Sequence, residues 1–193
     1  LNGAAVRGIL PSARGGPGRP DLSLFVPDGY APALAELSPA WLDSRGVRGL
    51  LLDLDDTLVP AYGEGLDPAA AAWVRACRDL RGVVVVSNNR NRDRVASVAT
   101  ELGVPYVHLA LKPLPTGLRA GASLLGLPAR EVAIVGDQIF TDVLGGRLLG
   151  MHTVLVGALS GAPRHPARRL VRALEAKILA GASLPNVTAG GVS

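Results

Sequence analysis

The sequence predicts an α/β protein with a doubly wound, mostly parallel sheet of five strands and helices on both faces. Two observations carry that expectation. Five short apolar runs, at residues 50–54, 83–86, 105–107, 132–135 and 153–156, lack the polar alternation of a sheet with one wet face, as strands covered on both sides do. The segments between them carry helix start and stop signals, and strands alternating with helices imply right-handed crossovers.

Taken in order, residues 1–20 end in Pro11-Ser-Ala-Arg-Gly-Gly-Pro-Gly-Arg-Pro20, too rich in Gly and Pro to offset the entropy of ordering, and are expected to form a disordered tail. The folded unit is expected to span residues 22–180, followed by a flexible tail at 181–193 made of small residues and turn formers. After the first run, Asp67-Pro68 supplies a cap and a proline at the first helical position; Trp73, Cys77 and Leu80 then recur on one face. The next helix runs from about residue 91 to 102 and stops at Gly103, and a third covers about 116–125 before Gly126. A fourth begins near Thr141-Asp142 and ends at Gly150. The last starts at Pro166: Leu170, Leu174 and Ile178 share a face with Val171 and Leu179 beside them, while Arg164, Arg168, Arg169, Arg172 and Lys177 add positive charge. Its apolar face is expected to pack on the sheet, leaving the arginines able to rest on anionic lipid.

Composition excludes several classes. At 193 residues the chain can bury a core without disulfides, and its one cysteine, Cys77, permits neither an internal disulfide nor a cysteine zinc cluster. His108, His152 and His165 share no ligand spacing. No apolar run approaches the roughly 20 residues of a bilayer crossing, so a cytoplasmic protein, at most peripheral at the inner face of a membrane, is expected. The net charge of +4, from 20 basic and 16 acidic residues, suits a phosphorylated substrate or anionic lipid. With aromatic residues at only 4% and no recognition-helix or zinc-finger pattern, nucleic acid is not an expected partner.

In such sheets, ligands bind beyond the carboxyl ends of the strands. The residues there are Asp53-Leu54-Asp55-Asp56-Thr57 after the first run, Ser87-Asn88-Asn89 after the second, Lys112-Pro113 after the third, and Gly136-Asp137-Gln138 with Thr141-Asp142 after the fourth. Isolated buried carboxylates are costly, so several at one edge predict a cation, and a purely oxygen ligand set favours a hard ion such as Mg2+.

Asp53-x-Asp55-x-Thr57, Ser87, Lys112-Pro113 and Gly136-Asp137 with Asp142 resemble, in order and spacing, the four motifs of haloacid dehalogenase (HAD) superfamily phosphatases. More narrowly, Ser87-Asn88-Asn89 and the 136–143 segment resemble the uncapped subfamily IIIA branch that includes phosphatidylglycerophosphate phosphatases. The resemblance implies a Rossmann-like, HAD-like sheet with no cap domain, Mg2+ as cofactor, and an aspartyl-phosphate intermediate. It makes Asp53 the nucleophile and Asp55 the general acid and then base. Ser87, Asn88 and Lys112 would bind the phosphoryl group. Asp53, Asp55 (through its backbone carbonyl) and Asp137 would hold the metal, while Asp142 would act through water or orient Lys112, and Thr57 would shape the turn beside the site.

Only residues 58–66 precede the first helix and only 109–111 precede Lys112, which leaves no room for a lid. Closure is then expected from a second subunit in a homo-oligomer or from a large substrate such as a membrane lipid headgroup. Phosphatidylglycerophosphate is the leading substrate on this reading. The alternatives are a soluble sugar or nucleotide phosphate, or a non-hydrolytic phospho-acceptor or assembly module. Asp55 opposes that last alternative, because an acid/base two residues after the nucleophile favours breakdown of an acyl-phosphate.

Overall fold

Six strands, one more than expected, form a single sheet in the computed structural model, which describes residues 22–63, 65–161, 166–182 and 184–189. The tail expected at residues 1–20 lies outside the described residues. Strands β1 (Gly29–Ala31), β2 (Gly49–Leu52), β3 (Gly82–Val86), β4 (Tyr106–Val107), β5 (Val132–Gly136) and β6 (His152–Val156) are arranged in the order β1-β6-β5-β2-β3-β4. Every ladder is parallel. The extra strand, β1, is a three-residue edge strand whose Gly-Tyr-Ala sequence has no apolar run to announce it.

The apolar runs form strands because both of their faces find cover. Leu50, Leu52, Val83, Val85, Ala133 and Val135 point into one core with Trp73, Val74 and Cys77 of α2 (Pro68–Arg78) and Val95, Val98 and Leu102 of α3 (Arg92–Leu102). Leu51, Val84, Val86 and Ile134 point the other way, against Leu118 and Ala122 of α4 (Pro115–Leu125). Near-continuous burial on both faces is why the strands read as unbroken apolar runs.

Helix signals set the boundaries. The Asp67 carboxylate accepts a hydrogen bond from the Ala70 N–H at 2.8 Å, with Pro68 at the first helical position, and the Asn91 side chain accepts from Arg94 at 3.1 Å. Gly103 and Gly126 take left-handed backbone angles at the helix ends. Leu80 falls beyond the end of α2 and is 76% exposed, so it does not share the core face of Trp73 and Cys77. A short helix, α1 (Pro39–Ser44), precedes β2, and α5 (Leu144–Leu149) follows β5. The helix expected from Thr141 starts instead as a wide π turn over Ile139–Val143 that continues into α5.

Two expectations need correction. Residues 184–189 are not a flexible tail: Tyr30 donates to the Pro185 carbonyl at 2.9 Å, Val187 donates back to Tyr30 at 3.0 Å, and Val187 is fully buried. Its valine fits because Gly29 opposite has no side chain; a Cβ there would meet Val187 at 2.3 Å. The final helix, α6 (Pro166–Leu179), packs only the end of its apolar face, Leu179 lying against Ile139, Val143 and, on β6, Leu155. Leu170, Val171 and Leu174 are exposed, and the buried residue of α6 is Glu175. Arg164 lies outside the described residues.

Candidate active site

β2 and β5 are neighbours at the centre of the sheet, and the chain leaves β2 toward β3 on one side and β5 toward β6 on the other. Their carboxyl ends therefore flank the crevice where the winding reverses. Asp53 follows β2 directly; its N–H still donates to Val135 of β5 at 2.9 Å, which fixes its backbone although the strand proper ends at Leu52. Asp137 follows β5 and is completely buried.

Lys112 joins the two sides. Its Nζ donates to Asp53 Oδ1 and to Asp142 Oδ1, both at 2.6 Å, with its side chain 2% exposed. Asp53, Asp137 and Asp142 each place a carboxylate oxygen within 4.8 Å of the others. Asp142 is aimed by its own turn: its Oδ2 accepts from the Gln138 N–H and the Thr141 hydroxyl, each at 3.2 Å. Gly136 makes room, since a Cβ at that position would lie 2.3 Å from the Asp142 carboxylate.

The loop carrying Lys112 is gripped by Asn88. Lys112 donates its backbone N–H to Asn88 Oδ1 at 2.7 Å, and Asn88 Nδ2 donates to the Lys112 carbonyl at 2.9 Å. Lys112 to Pro113 is a cis peptide. Both ends of the Asn88 amide thus hold the lysine loop, and the second hydrogen of Nδ2 is not used in that contact.

Ser87 is buried, and its Oγ accepts from the Asn89 N–H at 3.0 Å, leaving its own O–H free to donate elsewhere. Asp55 sits between Asn89 Nδ2 at 2.9 Å and Arg94 Nη2 at 3.4 Å, with a quarter of its side chain exposed. Asp56 takes a left-handed φ of 65° and ties the following loops together by accepting from Ala61 and Ser160, each at 3.0 Å. Thr57 is buried beside it, with a hydroxyl that makes no hydrogen bond among the described residues.

Burial raises Asp53 to about 7, opposed by Lys112 and reinforced by Asp142. Burial, with Asp53 nearby, raises Asp137 to about 8, opposed by Arg172. Burial would lower Lys112, but Asp142 and Asp53 outweigh it and hold the ammonium above its ordinary value. The lysine stays charged, while burial favours the protonated forms of Asp53 and Asp137. Three buried carboxylates with only oxygen donors fit a hard divalent cation, with Asp53 and Asp137 as its ligands while Asp142 stays committed to Lys112.

The final helix also enters the site, which the sequence did not reveal. Arg172 of α6 donates to the carboxylate and the backbone carbonyl of Asp137. One turn on, Glu175 accepts from the Ile139 N–H at 2.8 Å and the Phe140 N–H at 3.5 Å, with Arg172 3.4 Å away. The sequence signal is an Arg and a Glu three residues apart beside the apolar sector, masked by the stronger apolar periodicity of the helix.

A family profile described as HAD-hydrolase-like matches residues 110–173, a span that holds Lys112, Asp137, Asp142 and Arg172. Across the longer chain, the probable phosphatase YqeG of Bacillus subtilis is 31% identical over 160 residues, covering 79% of this chain and 93% of that one. The chain belongs to the HAD superfamily of phosphatases. It is a phosphoric monoester hydrolase by kinship as well as by motif. The chloroplastic phosphatidylglycerophosphate phosphatase 1 of Chlamydomonas reinhardtii is 30% identical over 152 residues, covering 73% of this chain and 56% of that protein. Among solved structures, an uncharacterised protein of Listeria monocytogenes superposes with a TM-score of 0.50 at 16% identity, covering 62% of this chain and 85% of that one, a likeness of fold alone.

Proposed function

We propose that this HAD phosphatase is Mg2+-dependent, works through a phosphorylated Asp53, and hydrolyses the phosphomonoester of a lipid headgroup, phosphatidylglycerophosphate. The observation that carries the mechanism is the Lys112 ammonium held at 2.6 Å from both Asp53 and Asp142, beside the buried Asp137. A bound divalent cation would supply Lewis-acid charge to the phosphoryl oxygens.

The chain's own groups do the rest. Asp53 attacks phosphorus, forming an acyl-phosphate as the bond to the leaving oxygen breaks. Asp55 gives that oxygen a proton; Asn89 and Arg94 orient its carboxyl for the transfer. Lys112 and the Ser87 hydroxyl offset charge on the transferring oxygens. Water then attacks the phosphorus, Asp55 takes its proton, and the bond to Asp53 breaks to release phosphate.

The lipid is supported by the relatives named phosphatidylglycerophosphate phosphatase and by the 58–66 and 109–111 segments, which are too short to hold a lid domain. The test compares turnover of that lipid in anionic mixed micelles with turnover of soluble phosphate esters, at matched Mg2+ and ionic strength. A higher kcat/KM for the lipid is expected. A soluble ester processed efficiently while the lipid is ignored would overturn the substrate and leave the phosphatase standing.

A further inference from the structure

The site is bordered by two segments that expose apolar side chains. On the loop that carries Lys112, Leu109, Leu111 and Leu114 are 44%, 55% and 57% exposed; on α6, which reaches Asp137 through Arg172, Leu170, Val171 and Leu174 are exposed. Leu109 and Leu111 also hold left-handed φ angles of 49° and 55°, a conformation that disfavours leucine without any burial in return. Other exposed leucines lie away from the site: Leu80 and Leu124 near the amino ends of the strands, and Leu22, Leu24 and Leu148 at the Ser23–Phe25 turn and on α5. What sets the six apart is that each lies on a segment that also holds a residue of the site, Lys112 or Arg172.

The charge around them has one sign. On α6 the acid is Glu175, which is buried against Ile139, whereas Arg169 and Lys177 are exposed on the flanks of the apolar sector. An apolar stripe edged by cations matches the boundary between the acyl chains and headgroups of an anionic bilayer.

We infer that the rim of the active site, formed by the 109–114 loop and α6, docks on an anionic phospholipid surface with the catalytic crevice facing the headgroups. The complementarity selects a lipid surface over a second copy of this chain, since the exposed face of α6 repeats its own positive charge. Such docking deepens the proposed lipid reading and rests on it for its purpose, but its test needs no turnover.

The full chain is sedimented with vesicles of phosphatidylcholine, with and without phosphatidylglycerol, at physiological salt. Binding is expected only to the anionic vesicles. Leu170→Gln/Leu174→Gln, and separately Leu114→Gln, should each weaken it roughly tenfold, with unchanged melting temperatures showing that these surface variants fold. Wild-type protein that ignores anionic vesicles would overturn the inference, as would variants that bind like wild type. A wild-type dimer in sedimentation velocity that Leu170→Gln/Leu174→Gln dissolves would also overturn it and assign the face to self-association. Hydrolysis of a soluble ester by the wild-type chain without vesicles tests the phosphatase reading separately.

Discussion

At the scale of single residues, the site is a problem of surplus carboxyl groups. Asp53→Asn keeps the side-chain volume and one acceptor for Lys112 but removes the proposed nucleophile. Phosphate release should fall by about a thousandfold or more while circular dichroism and melting temperature stay close to wild type; near-normal turnover in a folded variant would sink the covalent mechanism. The same surplus gives a pH signature. Asp53 and Asp137 are raised to about 7 and about 8 in the folded chain from a common 3.8, so the native state holds protons that the unfolded chain has released. Stability is then fully present below about pH 4 and declines as pH rises through the folded values. In excess chelator, the melting temperature should drop between about pH 5 and about pH 8, and a divalent cation should flatten that slope by favouring the charged carboxylates. A chelated protein that gains stability over this range would show that the acids are ionised without help. Lys112, already charged throughout, contributes no slope there.

Among the elements, the strands and helices between residues 50 and 156 were readable because their burial is written in side-chain type: valines and leucines on both faces, an Asp or Asn at a helix start, a Gly at a helix end. The acids proposed as catalytic were readable for a related reason, since they follow apolar runs. What stayed hidden depends on contacts that periodicity does not encode. β1 is held by pairing with β6 and by residues 185 and 187, not by its own Gly-Tyr-Ala. α6 was visible as an element, but its orientation is decided by two polar residues, Arg172 and Glu175, against an apolar sector more than twice as populous. This makes Glu175 the anchor to test. Glu175→Ala leaves the buried Ile139 N–H without its acceptor, at a cost of about 1–3 kcal/mol, and should speed amide exchange along α6 and in the Ile139–Val143 turn. Glu175→Gln retains an acceptor oxygen and should do less. If both variants exchange like wild type, α6 is not held through this side chain.

For the whole molecule, the closing piece of the fold is residues 184–189. Truncation after residue 183 would remove Val187 from beneath Trp41 and Gly29 and delete three backbone hydrogen bonds, from Tyr30 to Pro185, from Val187 to Tyr30 and from Ser38 to Val187. A loss of about 2–4 kcal/mol is expected, read as a melting temperature lower by several degrees; an unchanged transition would restore the flexible tail that the composition suggested. The sheet order has a consequence of a different kind, for the protein as it is being made. Asp53 directly follows β2, but its neighbour across the crevice is β5, whose residues 132–136 are translated some eighty codons later. Until they leave the ribosome, β2 can pair with β3 alone, and one edge of the central strand stays open beside an unmatched acid. The gap that the catalytic crevice needs therefore closes only after β2, β3 and β4 have been made, and a nascent chain cannot assemble the phosphate-cleaving centre before β5 joins the sheet.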